Sequence, residues 1–129
     1  MIQIGERKVG PGYPVFVTAE ISGNHNGSLD RARDLVTAAA VVGADGVKFQ
    51  AFTMEEILGL RGRGQVPAPW DSMTLPELYA KNITPAEWFP GLFGFARGLG
   101  LIPFASVFGR QSLALLESLG CPVYKIAQP

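Results

Sequence analysis

The segment PVFVTAEISGNHNGSLDRARDLVTAAAVVGADGVKFQA, residues 14–51, contains the pattern that decides the fold. Its apolar and β-branched start predicts a strand over residues 14–21 that is buried on both faces. Apolar residues then recur at helical spacing, and the helix that they predict has Ser28 as its N-cap and Gly43 as its stop. A second short strand is expected over residues 45–51. The order strand, helix, strand indicates a βαβ unit.

The middle of the chain interrupts this pattern. Residues 54–79 are rich in turn signals and predict an excursion loop, in which only residues 73–80 suggest a short helix. Periodicity returns at Thr84, which matches a capping box with Glu87 and is followed by Pro85 at the favoured first helical position. We expect a helix to begin sharply at this point.

Two further strands are predicted beyond that helix, over residues 101–106 and 122–127, with a short helix ending at Gly120 between them. Strands that alternate with helices at this spacing predict right-handed βαβ units and a parallel sheet. The predicted fold class is therefore α/β with about four parallel strands.

Composition and charge limit the possible functions. The 129 residues carry 11 basic and 11 acidic side chains, so no basic surface for nucleic acid or anionic lipid is indicated. No apolar run approaches the roughly 20 residues of a transmembrane helix. Cys121 is the single cysteine, which fits a reducing compartment. We therefore expect a cytoplasmic protein without nucleic-acid or membrane partners.

Polar side chains gather where the predicted strands end. Each of four strands contributes one at or near its end, namely Glu20, Lys48, Ser106 and Lys125. Parallel α/β folds place ligand sites at these carboxyl ends, in open sheets and in closed barrels alike. One carboxylate, two ammonium groups and a hydroxyl would suit an anionic substrate. The alternative is that the lysines extend to solvent at strand ends or pair with Glu20 only to stabilise the fold.

The loop after the first strand carries Asn24, His25 and Asn26. A single histidine does not form a metal site, which usually needs three or more ligands. Both a hydrogen bond that stabilises the loop and a role in substrate contact or proton transfer remain open for His25. The asparagines are good turn residues as well as candidate substrate contacts.

In five motifs, which occur in the family's order, the chain resembles the sialic acid synthase family: AEISGNHNGSLDRA, GADGVKFQAFT, ITPAEWFPGLF, FASVFG and CPVYKIA. That family includes the N-acetylneuraminate, legionaminate and pseudaminate synthases and the spore-coat polysaccharide synthase-like proteins. WDSMTLPELY followed by TPAEW is closer to the pseudaminate synthases. The resemblance implies the N-terminal half of a (β/α)8 TIM barrel. It also implies condensation of phosphoenolpyruvate with an N-acetylated hexosamine, such as N-acetylmannosamine, to a nine-carbon 2-keto sugar acid and phosphate.

The resemblance also implies roles for individual residues. Glu20 would bind the sugar, while Lys48 and Lys125 would hold the phosphate and carboxylate of phosphoenolpyruvate, so these three are the expected catalytic residues. Ser106 would add a hydroxyl to the phosphate, in FASVFG where the family usually reads close to FSSPFD. The other expected substrate contacts are Asn24, His25 and Asn26, which match the family's NHN signature, and Gln50.

The resemblance also implies that several parts of the family's synthases have no counterpart in these 129 residues. Family members use a divalent metal, Mn²⁺ or Mg²⁺, whose histidine ligands lie on later strands, so no ligand is expected in this chain. Residues 1–129 would form a partial barrel without the second half and without the C-terminal antifreeze-like domain. After YKIA the family usually continues with a serine and then a catalytic glutamate, where this chain has Gln128 and Pro129.

Three interpretations of such a half-barrel follow. The chain is the first half of a synthase and inactive alone. Alternatively, it becomes active as a homo-oligomer or with a complementing second half, because four strands leave two open sheet edges. The third interpretation is a non-catalytic module that binds a sugar phosphate, phosphoenolpyruvate or another protein, which ligand binding without turnover would identify.

Overall fold

A computed structural model describes residues 1–61 and 73–127 of the chain. The strands in these ranges are β1 (Ile2–Ile4), β2 (Arg7–Val9), β3 (Thr18–Glu20), β4 (Gly46–Ala51), β5 (Ile102–Val107) and β6 (Tyr124–Ile126). The helices are α1 (Leu29–Val41), α2 (Met54–Arg61), α3 (Leu75–Asn82), α4 (Phe89–Gly98) and α5 (Arg110–Ser118), and a 3₁₀ turn (Ala86–Trp88) precedes α4.

The central element is a parallel sheet in the order β3, β4, β5, β6. Its longest ladder joins β4 to β5, from the pair Gly46 and Ile102 to the pair Ala51 and Val107. Helix α4 packs against both α1 and β5, and α5 packs against β4 and β5. The predicted α/β class with four parallel strands is confirmed.

Three phenylalanines hold the helical layer to the sheet. Phe49 of β4 stacks on Phe93 of α4 with ring centroids 5.8 Å apart, and its ring meets Phe89 edge-on at 6.2 Å. All three side chains are fully buried. Because side chains alternate along a strand, burial of Phe49 among the helices directs Lys48 and Gln50 to the opposite face.

The first strand of the sheet is shorter than predicted, since only Thr18–Glu20 of residues 14–21 pairs with β4. The Val17 amide donates instead to Asp45 Oδ2, at 2.8 Å. This side-chain contact replaces the backbone partner that a longer ladder would need. The other three strands begin and end within two residues of their predicted bounds.

A hairpin formed by β1 and β2 was not predicted. Its two-residue turn places Gly5 at φ +57°, which is the glycine position of a type II′ turn. Arg7 pairs with Asp45 at 2.7 Å, and a Cβ on Gly5 would lie 3.3 Å from Ile102. Asp45 directly precedes β4 and Ile102 begins β5, so the hairpin lies at the end of the sheet opposite the candidate site.

Two helices occupy the described part of the predicted excursion loop, whose residues 62–72 lie outside the described residues. Helix α3 agrees with the short helix expected over residues 73–80. Helix α2 was missed. It starts with a capping box in which Thr53 Oγ1 accepts from the Glu56 amide and Glu56 Oε1 accepts from the Thr53 amide, both at 3.0 Å.

The capping box predicted at Thr84 and Glu87 is wrong. Among the described residues no side chain caps the 3₁₀ turn or α4. The same spacing occurs ten residues earlier, where Thr74 and Glu77 do form a capping box at the start of α3. The hydroxyl of Thr84 lies 2.8 Å from His25 Nε2, so it is engaged by another element.

Candidate functional site

Three of the four residues predicted at the strand ends are in direct contact. Lys48 Nζ lies 2.9 Å from Glu20 Oε2 and donates to Ser106 Oγ at 2.9 Å. The Ser22 hydroxyl donates to the same Glu20 oxygen at 2.9 Å. Lys48 is only 9% exposed, whereas Glu20 reaches solvent. The carboxylate and the serine therefore satisfy an ammonium group that would be costly to bury alone.

Lys125 lies in the neighbouring strand, in register with Ser106. Paired residues of adjacent strands are about 4.8 Å apart, and their side chains leave the sheet on the same face. Ser106 is also in register with Gln50, so Gln50, Ser106 and Lys125 form one row across the sheet. This row adjoins Lys48 and adds an exposed ammonium group to the cluster. The arrangement can bind an anion that bridges the two lysines.

His25 stabilises the loop between β3 and α1. Its side chain is 0% exposed, and its ring meets Trp88 edge-on with centroids 5.3 Å apart. The Gly27 amide donates to Nδ1 at 3.0 Å, which assigns the ring proton to Nε2 and makes Thr84 Oγ1 its acceptor. Both ring nitrogens of His25 are engaged within the protein in this conformation, which favours the structural alternative over the expected substrate contact.

We expect the stability of the protein to decrease as the pH falls below 6.5. Burial lowers the pKa of His25 below its ordinary value of 6.5, so the unfolded chain binds the proton first. The stabilising contribution is complete above pH 6.5 and is lost as the pH falls through the folded-state pKa. Urea unfolding at pH 7.5, 6.5 and 5.5 measures this loss.

His25→Gln is the matched control for this experiment, because His25 is the single histidine of the chain. The variant is expected to be less stable at pH 7.5 and to show a flatter dependence between pH 7.5 and 5.5. An equal pH dependence in both proteins would contradict the assignment.

Three other predicted contacts, Asn24, Asn26 and Gln50, line a polar cavity of about 480 Å³. The loop that carries the asparagines is held by Arg31, whose Nε donates to the Asn24 carbonyl at 2.8 Å. Asn26 adopts a left-handed backbone with φ 52°, which asparagine tolerates better than most residues. The structure thus divides the predicted substrate contacts between this cavity, the lysine cluster with Ser106, and the buried ring of His25.

Glu56 is a structural residue of the site that the sequence did not reveal. Besides capping α2, its carboxylate accepts from the Ser112 hydroxyl and, at 3.4 Å, from the Ser112 amide in the first turn of α5. Burial alone would raise the pKa of Glu56, but the hydrogen bonds from Ser112 and Thr53 outweigh it and hold that pKa below the ordinary 4.5. One anion therefore stabilises the N-termini of two helices, α2 and α5.

Gly109→Ala is expected to destabilise the protein by about 1–2 kcal/mol, the usual cost of losing a helix cap. Gly109 precedes α5, and a Cβ at this position would overlap the Glu56 carboxyl group. Displacing that group weakens the caps of α2 and α5 together. Urea unfolding measures the loss. Gly59→Ala, in α2 with open space around the new Cβ, is the control and is expected to stabilise by about 0.5–1 kcal/mol.

Metal ligands and membrane spans were searched within residues 1–61 and 73–127. In these ranges no group of three His, Cys, Asp or Glu side chains is placed to hold a metal ion. No helix of the same ranges is long and apolar enough to cross a bilayer. Gln128 and Pro129, which stand where the resemblance leads one to expect a serine and then a glutamate, lie outside the described residues.

The fold and the cluster define an α/β protein with a charged side-chain cluster at the carboxyl ends of its parallel strands, where such folds place ligand sites. Comparison with known protein families then identifies the family. Residues 35–129 match the NeuB family, and the chain belongs to that family. The resemblance found in the five motifs is thereby confirmed.

Individual relatives agree with this assignment. The chain is 43% identical to pseudaminic acid synthase of Helicobacter pylori over 122 residues, covering 88% of the chain and 34% of the relative. The crystal structure of SpsE, a spore coat polysaccharide biosynthesis protein of Bacillus subtilis, superposes with a TM-score of 0.71 at 34% identity, covering 95% of this chain and 32% of that one. The crystal structure of N-acetylneuraminic acid synthetase of Leptospira borgpetersenii in complex with citrate superposes with a TM-score of 0.79 at 28% identity. The match covers 97% of this chain and 40% of that one.

These structural neighbours are TIM-barrel-type proteins, which confirms the predicted barrel-type fold for the four parallel strands. The chain spans about a third of the length of the curated relatives that it matches.

Proposed function

We propose that this chain supplies part of the active site of a synthase that condenses phosphoenolpyruvate with an N-acetylated hexosamine. The products are a nine-carbon 2-keto sugar acid and phosphate. The observation that carries the proposal is the contact of Lys48 with Glu20 and Ser106, with Lys125 in the adjacent strand. Relatives named pseudaminic acid synthase and N,N'-diacetyllegionaminic acid synthase support the same class of reaction.

The chemistry requires the phosphate and the carboxylate of phosphoenolpyruvate to be held near the neutral sugar substrate. The enol carbon of phosphoenolpyruvate attacks the aldehyde carbon of the sugar and forms the new carbon–carbon bond. Water then attacks the resulting oxocarbenium-like carbon, and phosphate leaves with its bridging oxygen. Lys48 and Lys125 hold the phosphate and carboxylate through these steps, and Ser106 adds a hydroxyl to the phosphate. Fixed ammonium groups lower the barrier because they are already oriented toward the anions.

Glu20 has the features of a sugar ligand. Its carboxylate is exposed at the end of β3 and is held in place by Ser22 and Lys48. Carboxylate oxygens accept hydrogen bonds from sugar hydroxyls, and such charge-assisted bonds are stronger than neutral ones. The contact of this carboxylate with Lys48 supports a sugar subsite beside the proposed phosphoenolpyruvate subsite.

The proposal includes a divalent metal, Mn²⁺ or Mg²⁺, and a second body of protein. The described residues offer no ligand set for the metal, so no step above is assigned to it. We also propose a cytoplasmic location. Because β3 and β6 are the open edges of the parallel sheet, we further propose that the chain forms a homo-oligomer or binds a complementing second half.

The experiment combines size-exclusion chromatography with light scattering and a phosphate-release assay on the same fractions. The assay contains phosphoenolpyruvate, N-acetylmannosamine and Mn²⁺, with the sugar omitted as the control. Phosphate release that depends on the sugar and coincides with a defined oligomer would mean that copies of this chain assemble into a working synthase. Phosphoenolpyruvate binding without phosphate release would mean either a chain that needs its second half or a binding module, and release without the sugar would contradict a condensing enzyme.

A further inference from the structure

Helix α3 forms one wall of the polar cavity beside the lysine cluster. Tyr79 and Asn82, from its last turn, line the cavity together with Asn24 of the β3–α1 loop. The wall is held closely to that loop, since a Cβ on Gly23 would lie 2.7 Å from Asn82 Cβ. Tyr79 is fixed on its other side by the Phe52 ring, 5.9 Å away and edge-on. The two side chains are therefore positioned by packing rather than left on a free loop.

Most of the groups around this cavity are polar and uncharged. Amide side chains of Asn24, Asn26, Gln50 and Asn82 line it together with Ser22, Tyr79 and one cation, Arg31, whose Nε is already bonded to the Asn24 carbonyl. Amides and phenols both donate and accept hydrogen bonds without carrying charge at neutral pH. Such side chains offer several donors and acceptors to a ligand with hydroxyl and acylamino groups.

The cavity lies at a useful distance from the reacting groups. Gln50 belongs to its lining and follows Lys48 by two residues on the same face of β4. Two residues of a strand span about 6.6 Å, which is the scale of one sugar ring. A molecule with its aldehyde carbon near Glu20 and Lys48 would therefore extend its remaining carbons into the cavity.

We propose that Tyr79 and Asn82 are specificity-determining residues that contact the acylamino end of the acceptor sugar. The assignment rests on the proposed function, because it takes the acceptor to be an N-acetylated hexosamine. It gives α3, a helix within the region predicted as an excursion loop, a role in choosing the substrate. The two residues bind the sugar and take no part in binding phosphoenolpyruvate.

The experiment titrates the whole chain by NMR with three separate probes: N-acetylmannosamine, mannose and phosphoenolpyruvate. Tyr79→Phe removes one hydroxyl and keeps the ring on Phe52, while Asn82→Ala keeps the Cβ that packs on Gly23. Each variant is expected to raise the Kd for N-acetylmannosamine roughly three- to tenfold, as loss of a hydrogen bond does. The preference for N-acetylmannosamine over mannose should fall with it, and the Kd for phosphoenolpyruvate should stay within about twofold. Lys81→Ala, an exposed residue of the same helix, is the matched control and should change none of these values.

The outcomes separate this assignment from the proposed function. Unchanged sugar affinity in both variants, or no sugar binding to the unmodified chain, would overturn the assignment. A weaker affinity for both sugars in equal proportion would also overturn it, because that result indicates a general change of shape. Sugar binding that depends on Tyr79 and Asn82, in a chain that does not bind phosphoenolpyruvate, would support the assignment and contradict the synthase. Circular dichroism melting confirms that each variant is folded at the titration temperature.

Discussion

Lys48→Met is expected to lose phosphoenolpyruvate binding while the protein keeps its fold. A hydrogen bond to a charged group is worth about 1.5–3 kcal/mol, so removing the Lys48 ammonium should raise the Kd roughly ten- to 150-fold. Methionine fills much of the same volume in a strand position that is only 9% exposed. Isothermal titration of the variant with phosphoenolpyruvate measures the effect.

The free energy of unfolding of Lys48→Met is expected to respond differently from its ligand affinity. Replacing both partners of a buried ion pair by packed apolar side chains is often neutral or stabilising by about 1–4 kcal/mol, whereas removing one partner is destabilising only if it leaves the other charge buried. Its partner Glu20 is exposed and returns to water without a large cost. Urea unfolding should therefore show equal or higher stability for Lys48→Met, with Lys81→Met as a surface control. Normal phosphoenolpyruvate affinity in a stable variant would show that Lys48 serves the fold alone.

Phe49→Ala is expected to destabilise the protein by about 3–5 kcal/mol, the usual range for a buried phenylalanine. Phe49 is fully buried and contacts the rings of Phe89 and Phe93, so its loss leaves a cavity between β4 and α4. Small domains are stable by only about 5–15 kcal/mol, and the variant is therefore expected to unfold at much lower urea concentrations. The midpoint of urea unfolding is the measurement.

Phe49→Leu is the control that separates loss of volume from loss of the aromatic contact. It fills most of the cavity and is expected to cost less than half as much as Phe49→Ala. Because Phe49 lies between Lys48 and Gln50, loosening this residue should also weaken ligand binding at the opposite face. A cost below about 1 kcal/mol for Phe49→Ala would contradict the position of β4 in the core.

The regular parts of the fold were predictable because a single physical signal dominates each of them. Within the described ranges the Ser28 hydroxyl has no competing partner, and it caps α1 as expected, with the Arg31 amide donating to it at 3.2 Å. Gly43 adopts φ 85° at the end of that helix, where other residues would be strained.

Local patterns failed where a tertiary contact decided between equal candidates. Thr74 and Thr84 begin the same motif, but Thr84 bonds to His25, which is 59 residues away along the chain. Nothing within the motif records that partner. The spacing of Thr53 and Glu56 was a usable signal for α2, and Gly5 between two short alternating segments was a usable signal for the hairpin.

The candidate site likewise contains contacts that the sequence predicted and contacts that it did not. Contacts between Glu20, Lys48 and Ser106 followed from the rule that parallel strands bring their carboxyl ends together. The wall formed by Tyr79 and Asn82 did not, because it depends on how α3 docks onto the loop at Gly23. Periodicity describes one element at a time and gives no distance between two elements that are joined by an irregular segment.

The ladder register also determines which changes of length the protein can accept. Glu20 and Lys48 are paired across β3 and β4, and Gln50, Ser106 and Lys125 are paired across the next three strands. Deleting one residue within β5 would move Ala105 or Val107 into the place of Ser106 and turn the serine toward the helices. Insertions and deletions should therefore be tolerated in the surface turns. Within the strands of this site, substitutions keep the register, whereas a change of length disrupts it.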